Sequence, residues 1–139
     1  MTDTLSLGWS QNEARTRIKA FQTVLAVNLV LQSLIALAVI LWPAAGVFAT
    51  GVPAAATGFA PFWAGMVLFA SALQVPFLLD PIRLRTPLLV ALLGRLFMVL
   101  LYLFHLPDYW RLALFDGVFA IILIILLQRA AIAEMQSRP

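Results

Sequence analysis

The sequence predicts an all-α integral membrane protein: a single domain, residues 1–139, forming a four-transmembrane-helix bundle, up-down-up-down, with both termini cytoplasmic. Three observations carry that expectation. First, 63% of the 139 residues are hydrophobic and only 11% are charged, whereas a soluble domain carries about 25% charged residues. Second, the apolar residues gather into four runs, each near the roughly 20 residues that a helix needs to cross a hydrocarbon core. Strands are not an option for such runs, because open sheet edges cannot face lipid. Third, the basic residues fall on one side of these runs. Arg15, Arg17 and Lys19 lie in the tail 1–19, Arg83 and Arg85 in the turn after the second run, and Arg129 and Arg138 in the tail 129–139. The opposite side has Arg111 alone. Such a bias places lysine- and arginine-rich connections in the cytoplasm. It also accounts for a sequence pI of about 10.2 without invoking nucleic acid as a partner, since the bases flank apolar segments.

The first helix is expected over 20–42, "AFQTVLAVNLVLQSLIALAVILW". Its apolar run exceeds the roughly 7–15 residues of a signal-peptide core, so it reads as a span and not as a cleaved leader. Before it, Trp9, Ile18 and Phe21 could touch the interface while Arg15, Arg17 and Lys19 meet anionic lipid, in a short surface helix or a plain topology signal. The connection 43–61, "PAAGVFATGVPAAATGFAP", is uncharged. It is expected to lie irregularly in the outer headgroup region with Phe48 and Phe59 dipped inward, or to act as a lid or docking surface. The second helix is expected over 61–79, kinked near Leu73 and Gln74 because Pro76 lies inside it. Asp80–Pro81 ends it. The third helix is expected over 87–106, with Thr86 as N-cap and Pro87 at the first helical position. After the tight connection Leu106 to Asp108, the fourth is expected over 110–128, with Asp108 as its cap. Trp42, Trp63, Tyr109 and Trp110 should then form an aromatic belt at the outer interface.

Polar residues at membrane depth are the candidates for function, because intramembrane charge is costly and mostly faces a bundle interior or a site. Counting about 1.5 Å per residue from the cytoplasmic ends puts Asn28, Ser71 and Arg95 about 12 Å deep, Gln32 and Asp116 about 18 Å and Gln74 about 8 Å. Asn28 and Gln32 share a face. Tyr102 lies seven residues beyond Arg95 on nearly the same face, with His105 at the outer end of that helix. Arg95 either pairs with Asp116 or reaches Asn28, Ser71 and Gln74 while Asp116 uses Gln32, Tyr102 or water. A lone arginine at a helix centre costs about 2.5–3.5 kcal/mol on insertion scales, so one of these arrangements is required. Gly94 and Gly117, beside the two charges, and Ala60, Ala64, Gly65, Ser71 and Ala72 on the second helix are small enough to permit close helix contact.

Several classes of chemistry are excluded. There is no cysteine and one histidine, His105, which leaves no disulfide, thiolate metal site or bis-histidine haem. No paired carboxylates, phosphate-binding glycine loop or nucleophile–base set is present. The segment from Phe62 to Arg95, with its pattern "FW…P…DPIRLR…GRL" and the aspartate-bearing last helix after it, resembles small uncharacterised four-helix membrane proteins of bacteria. That resemblance implies a bacterial cytoplasmic (inner) membrane location and no particular activity. The first helix lacks the membrane glutamate of small multidrug transporters, the charge bias opposes dual-topology dimers, including small fluoride channels, and the acidic, arginine-rich helix pattern of glutathione-using membrane enzymes is missing. The leading expectation is a non-enzymatic accessory or assembly subunit of a larger membrane complex, or a homo-oligomer, in contact with membrane lipids. The alternatives are a small oligomeric transporter or channel with a polar path around Arg95 and Asp116, and a lipid- or quinone-binding protein. No resident cofactor or metal is expected beyond such a bound lipid or quinone.

Overall fold

In the computed structural model, which describes residues 3–51 and 60–137, all regular structure is helical. The elements are α1 (Asp3–Leu41), α2 (Pro43–Thr50), α3 (Ala60–Gln74), α4 (Pro76–Leu79), α5 (Arg85–His105), a 3₁₀ turn (Pro107–Tyr109) and α6 (Trp110–Gln136). Four stretches, Gln11–Leu41, Ala60–Leu79, Arg85–His105 and Pro107–Gln136, are long and apolar enough to cross a membrane. Only 22–28% of each apolar window is buried inside the protein. Phe69, Phe97 and Phe104 are among the side chains that face outward, as a hydrocarbon solvent allows.

Each of the four spans has a row of buried and half-buried positions that fall three and four residues apart. In α1 they run Phe21, Leu25, Asn28, Gln32, Ala36 and Val39; in α3, Ala60, Ala64, Val67, Ser71 and Gln74. In α5 they run Leu88, Leu92, Arg95, Val99 and Tyr102; in α6, Ala113, Asp116, Ala120, Leu123, Leu127 and Ala130. Spacings of three and four residues put these positions on one face of each helix, the seam turned to its neighbours. Each seam turns polar part-way along. One apolar cluster, Phe21, Leu25, Leu29, Phe77, Leu88, Leu92, Leu123 and Leu127, fills one end of the bundle. Tyr102 with Leu112 and Ala113, and Ala36 with Val39 and Ala64, fill the other, joined through Trp63. The polar residues lie between these plugs.

Alanines let α1 approach α3 and α6, and α6 approach α5, closely along their lengths. Among the described residues α3 and α5 share no comparable face, so the bundle is open on that flank. Small residues do not explain every approach. An added Cβ at Gly65 or Gly94 would meet nothing within 4 Å, and one at Gly117 would make an ordinary 3.7 Å contact with Val99. The expectation that Gly65 and Gly94 admit neighbouring helices is therefore corrected, and Ala72 is exposed as well.

The helix ends depart from the sequence reading in several places. α1 is 39 residues long and α6 is 27, about 58 and 40 Å against a hydrocarbon core of about 30 Å. The segments 11–19 and 129–136, read as tails, simply continue the helices. No proline or glycine interrupts them, Glu13 pairs with Arg17 one turn on, and alanines at 130, 131 and 133 favour helix. Pro76 does break the second span: Val75 N–H bonds back three residues to Ala72 O (3.2 Å), because proline has no N–H and its ring collides with the carbonyl four residues earlier. Thr86 is not an N-cap. α5 begins at Arg85, and Asp80 Oδ1 accepts the Arg83 N–H (3.0 Å) to stabilise the turn before it. Asp108 caps nothing either; α6 starts after the 3₁₀ turn from Tyr109, with no side-chain cap.

The connection 43–61 is the largest departure. Residues 43–50 are helical and fold back on α1, with Phe48 81% exposed; Phe59 lies outside the described residues. Two interactions hold α2 in place. Arg111 Nη1 donates to Phe48 O (2.6 Å), one of the carbonyls a helix end leaves unpaired. Gly46 lies so close to α1 that a Cβ there would stand 2.7 Å from Val39 Cα. Backbone cannot yield as a flexible side chain can. Gly46→Ala is therefore expected to destabilise the protein by about 1–3 kcal/mol through overpacking, while Gly94→Ala stays within about 0.5 kcal/mol. Unfolding in mixed detergent micelles measures both, and equal values would refute the close approach.

Candidate functional site

Arg95 stands at the midpoint of α5, with ten residues of the helix before it (Arg85–Gly94) and ten after (Leu96–His105). It lies on the buried seam and is only 7% exposed. Its Nη2 donates to Gln32 Oε1 on α1 (2.6 Å) and to Gln74 Oε1 at the end of α3 (3.0 Å). Its Nη1 lies 3.6 Å from Asp116 Oδ1 on α6, an ion-pair distance too long for a hydrogen bond. One guanidinium thus ties all four spans. Neither arrangement expected from the sequence holds alone: Asp116 is the countercharge, and two glutamines supply the hydrogen bonds.

The other candidate residues divide around this centre. Gln74 is itself oriented by donating Nε2 to Ala70 O (3.2 Å). Ser71 donates to Val67 O of its own helix (2.8 Å) and makes no bond to Arg95. Asn28, one turn from Gln32, is fully buried, and neither its Nδ2 nor its Oδ1 has a hydrogen-bond partner among the described residues. The same holds for Nε and Nη1 of Arg95. Tyr102 belongs to the next level of the seam: its hydroxyl accepts from Trp63 Nε1 (3.3 Å), and its ring stacks on Tyr109 at 5.9 Å.

Trp63 was placed by sequence with the interfacial aromatics, yet it turns inward onto Tyr102 and lines the site. Two further residues escaped the sequence reading. Gln22 donates to Leu78 O (2.6 Å), holding the broken end of the second span against α1, and Arg111 ties α2 to α6 as described. A glutamine near an interface and an arginine in an outer turn carry no signal of such roles, because the carbonyls they satisfy become free only once α4 has ended at Leu79 and α2 at Thr50.

The open flank between α3 and α5 forms a groove of about 470 Å³. Met66, Leu73, Phe77 and Met98 line it with apolar surface, and Arg95, Gln74, Gln32 and Asp116 supply its polar groups. Gly94 and Ala70 leave its walls low. A smaller recess of about 30 Å³ lies beside Asp116, Gln32, Tyr102 and Trp63, enough for about one or two waters. Among the described residues no cluster of histidine and carboxylate side chains could hold a metal ion. The arrangement has no nucleophile with a base; what it offers chemically is donated hydrogen bonds in a low-dielectric setting.

Compared with protein-family models, with curated proteins and with solved structures, the chain matches none. The site must therefore be judged by its own chemistry.

Removing one member of a buried ion pair strands the other, while removing both costs far less. Arg95→Leu is expected to destabilise the protein by about 3 kcal/mol. The double variant Arg95→Leu/Asp116→Asn is expected to recover more than half of that loss. Reversible unfolding in detergent gives both values, and strictly additive losses would show that the two charges do not interact.

Proposed function

We propose that this chain is a polytopic, non-enzymatic protein of the bacterial cytoplasmic membrane that holds an amphiphile in the groove between α3 and α5. Arg95 carries the reading. It is buried at the middle of a helix suited to hydrocarbon, yet two of its three nitrogens have no hydrogen-bond acceptor among the described residues. An unpaired buried donor costs about 1–3 kcal/mol, and the groove beside it has the size of small-molecule sites, about 300–1,000 Å³. Apolar walls with a few convergent polar groups are the usual composition of such sites.

The proposed topology is up-down-up-down with both termini cytoplasmic, supported by the charge distribution. The overshoot of α1 and α6 agrees with it, since the protruding ends carry Arg15, Arg17 and Arg129. Because the chain contains no cysteine, single introduced thiols can report it. Cysteines at Gln11, Arg83 and Gln136 are expected to be shielded from an impermeant reagent applied outside intact cells, and those at Ala44 and Asp108 to be labelled. The reverse pattern would overturn the orientation.

The amphiphile reading is tested by extracting the protein with its surrounding lipid in polymer discs and weighing the released small molecules. About one species per chain should be enriched over bulk lipid, and the Arg95→Leu/Asp116→Asn variant should lose it. A second reading, an accessory subunit that receives a partner's transmembrane helix in the same groove, is favoured by Gly94, whose face is open. A stoichiometric polypeptide in the discs, with no enriched small molecule, would select that reading instead.

A further inference from the structure

We infer that the groove selects an amphiphile with an uncharged carbonyl head, the chemistry shared by a quinone and a fatty-acyl ester, and disfavours an anionic one. This rests on the amphiphile-binding reading above; what it adds is the class of head group. Three observations point the same way.

The first is charge. Arg95 already faces Asp116 at 3.6 Å, so the pair is neutral as it stands. A carboxylate or phosphate on Arg95 would bring a second anion against Asp116 in a medium where like charges repel strongly. A carbonyl oxygen accepts a hydrogen bond and adds no charge.

The second is depth. With ten residues of α5 on either side, Arg95 is about 15 Å from each end of its helix. The ionic head of a membrane phospholipid stays in the interface, and moving it to mid-helix would desolvate it. A molecule with a neutral head travels within the hydrocarbon and enters sideways through the open α3–α5 flank.

The third is the kind of polar atom left over. Both oxygens bonded to Nη2 belong to Gln32 and Gln74, so the unbonded hydrogens are those of Nε and Nη1, which are covered by neighbouring side chains as the guanidinium stands and meet a ligand in the groove by its rotation. Further along the seam, the Tyr102 hydroxyl accepts from Trp63, which leaves its own proton to donate. These groups seek acceptors, and a ligand with acceptors alone suits them.

Trp63 lines the groove and supplies the readout. With Trp9, Trp42 and Trp110 replaced by phenylalanine, its fluorescence can be followed in lipid discs. The probes are a dibrominated fatty acid at a pH where it is ionised, the methyl ester of that acid, and a short-chain 1,4-benzoquinone. Bromine and quinone both quench a nearby indole. The ester or the quinone, or both, should quench saturably and bind at least about tenfold more tightly than the ionised acid. Which of the two binds more tightly identifies the source of the carbonyl. Asp116→Asn should shrink or invert the preference for the ester by a similar factor, because the acid then meets an uncompensated cation. If that variant does not fold, the ester-to-acid comparison on Asp116-containing protein decides by itself. An acid that binds as tightly as the ester overturns the inference and leaves the amphiphile reading intact. Absence of saturable quenching by all three probes, in protein whose helicity is unchanged, overturns both.

Discussion

A guanidinium buried at the middle of an apolar helix must find its partners inside the protein, and the interior of this bundle is arranged around that constraint. Arg95 cannot shed its charge, so the protein must bring partners to it. It does so from three directions: Gln32 from α1, Gln74 from α3 and Asp116 from α6. Interhelical hydrogen bonds in membranes are weak singly, averaging about 0.6 kcal/mol. Their effect here is geometric. Because all four spans meet at one side chain, the register of each helix is referred to the same point. The apolar plugs above and below that point then pack leucine and phenylalanine at one end and alanine against aromatic rings at the other.

The broken second span follows from the same need. Gln74 is the last residue of α3, two positions before Pro76, and its side chain is held by the Ala70 carbonyl one turn earlier. Pro76 forces the stop, and Gln22 takes up the Leu78 carbonyl beyond it. The price of bringing Gln74 to Arg95 without bringing α3 alongside α5 is a flank with no packed face. Gln74 and Arg95 thus meet at the wall of the groove that this open flank leaves.

The sequence revealed some of this and concealed the rest for a physical reason. The spans were legible because hydrocarbon requires long apolar runs, and the interruption of the second because proline cannot continue a helix. The polar residues were legible as a set, but depth alone grouped them wrongly: it put Arg95 level with Asn28 and Ser71, neither of which it bonds, whereas Gln32 and Asp116, counted deeper, and Gln74, counted shallower, all meet the long guanidinium arm. The buried face was not. In water, apolar residues mark the inside, but here Leu88 faces the core and Leu89 faces out, and hydrophobicity does not tell them apart. Only the polar residues mark the seam, which is why Asn28 and Gln32, or Arg95 and Tyr102, could be assigned to shared faces while Trp63 could not. The α2 fold-back was illegible because it rests on a missing Cβ at Gly46 and on a backbone carbonyl that Arg111 reaches from another helix, and an uncharged alanine- and glycine-rich segment looks the same whether or not it folds.

The question of scaffold against site turns on what the polar layer leaves unused. Glue between helices works by matching donors to acceptors, and a layer selected only for adhesion should match them fully. This one does not. Asn28 offers a buried donor and a buried acceptor, and Arg95 offers two buried nitrogens, all without hydrogen bonds among the described residues. Replacing Asn28 with leucine, or Arg95 and Asp116 together with apolar residues, would remove a desolvation cost of about 1–3 kcal/mol for each unmet group, so adhesion by itself does not account for their presence. They differ in position, however. Asn28 is fully enclosed, whereas Arg95 borders the groove. An unused donor sealed in the core can serve only the fold or a rearrangement of it. The unused donors of Arg95 are covered as well, but their side chain stands beside the open groove, where a rotation of the guanidinium is enough to meet a molecule from the bilayer, and that difference makes Arg95, and not the polar layer as a whole, the functional candidate.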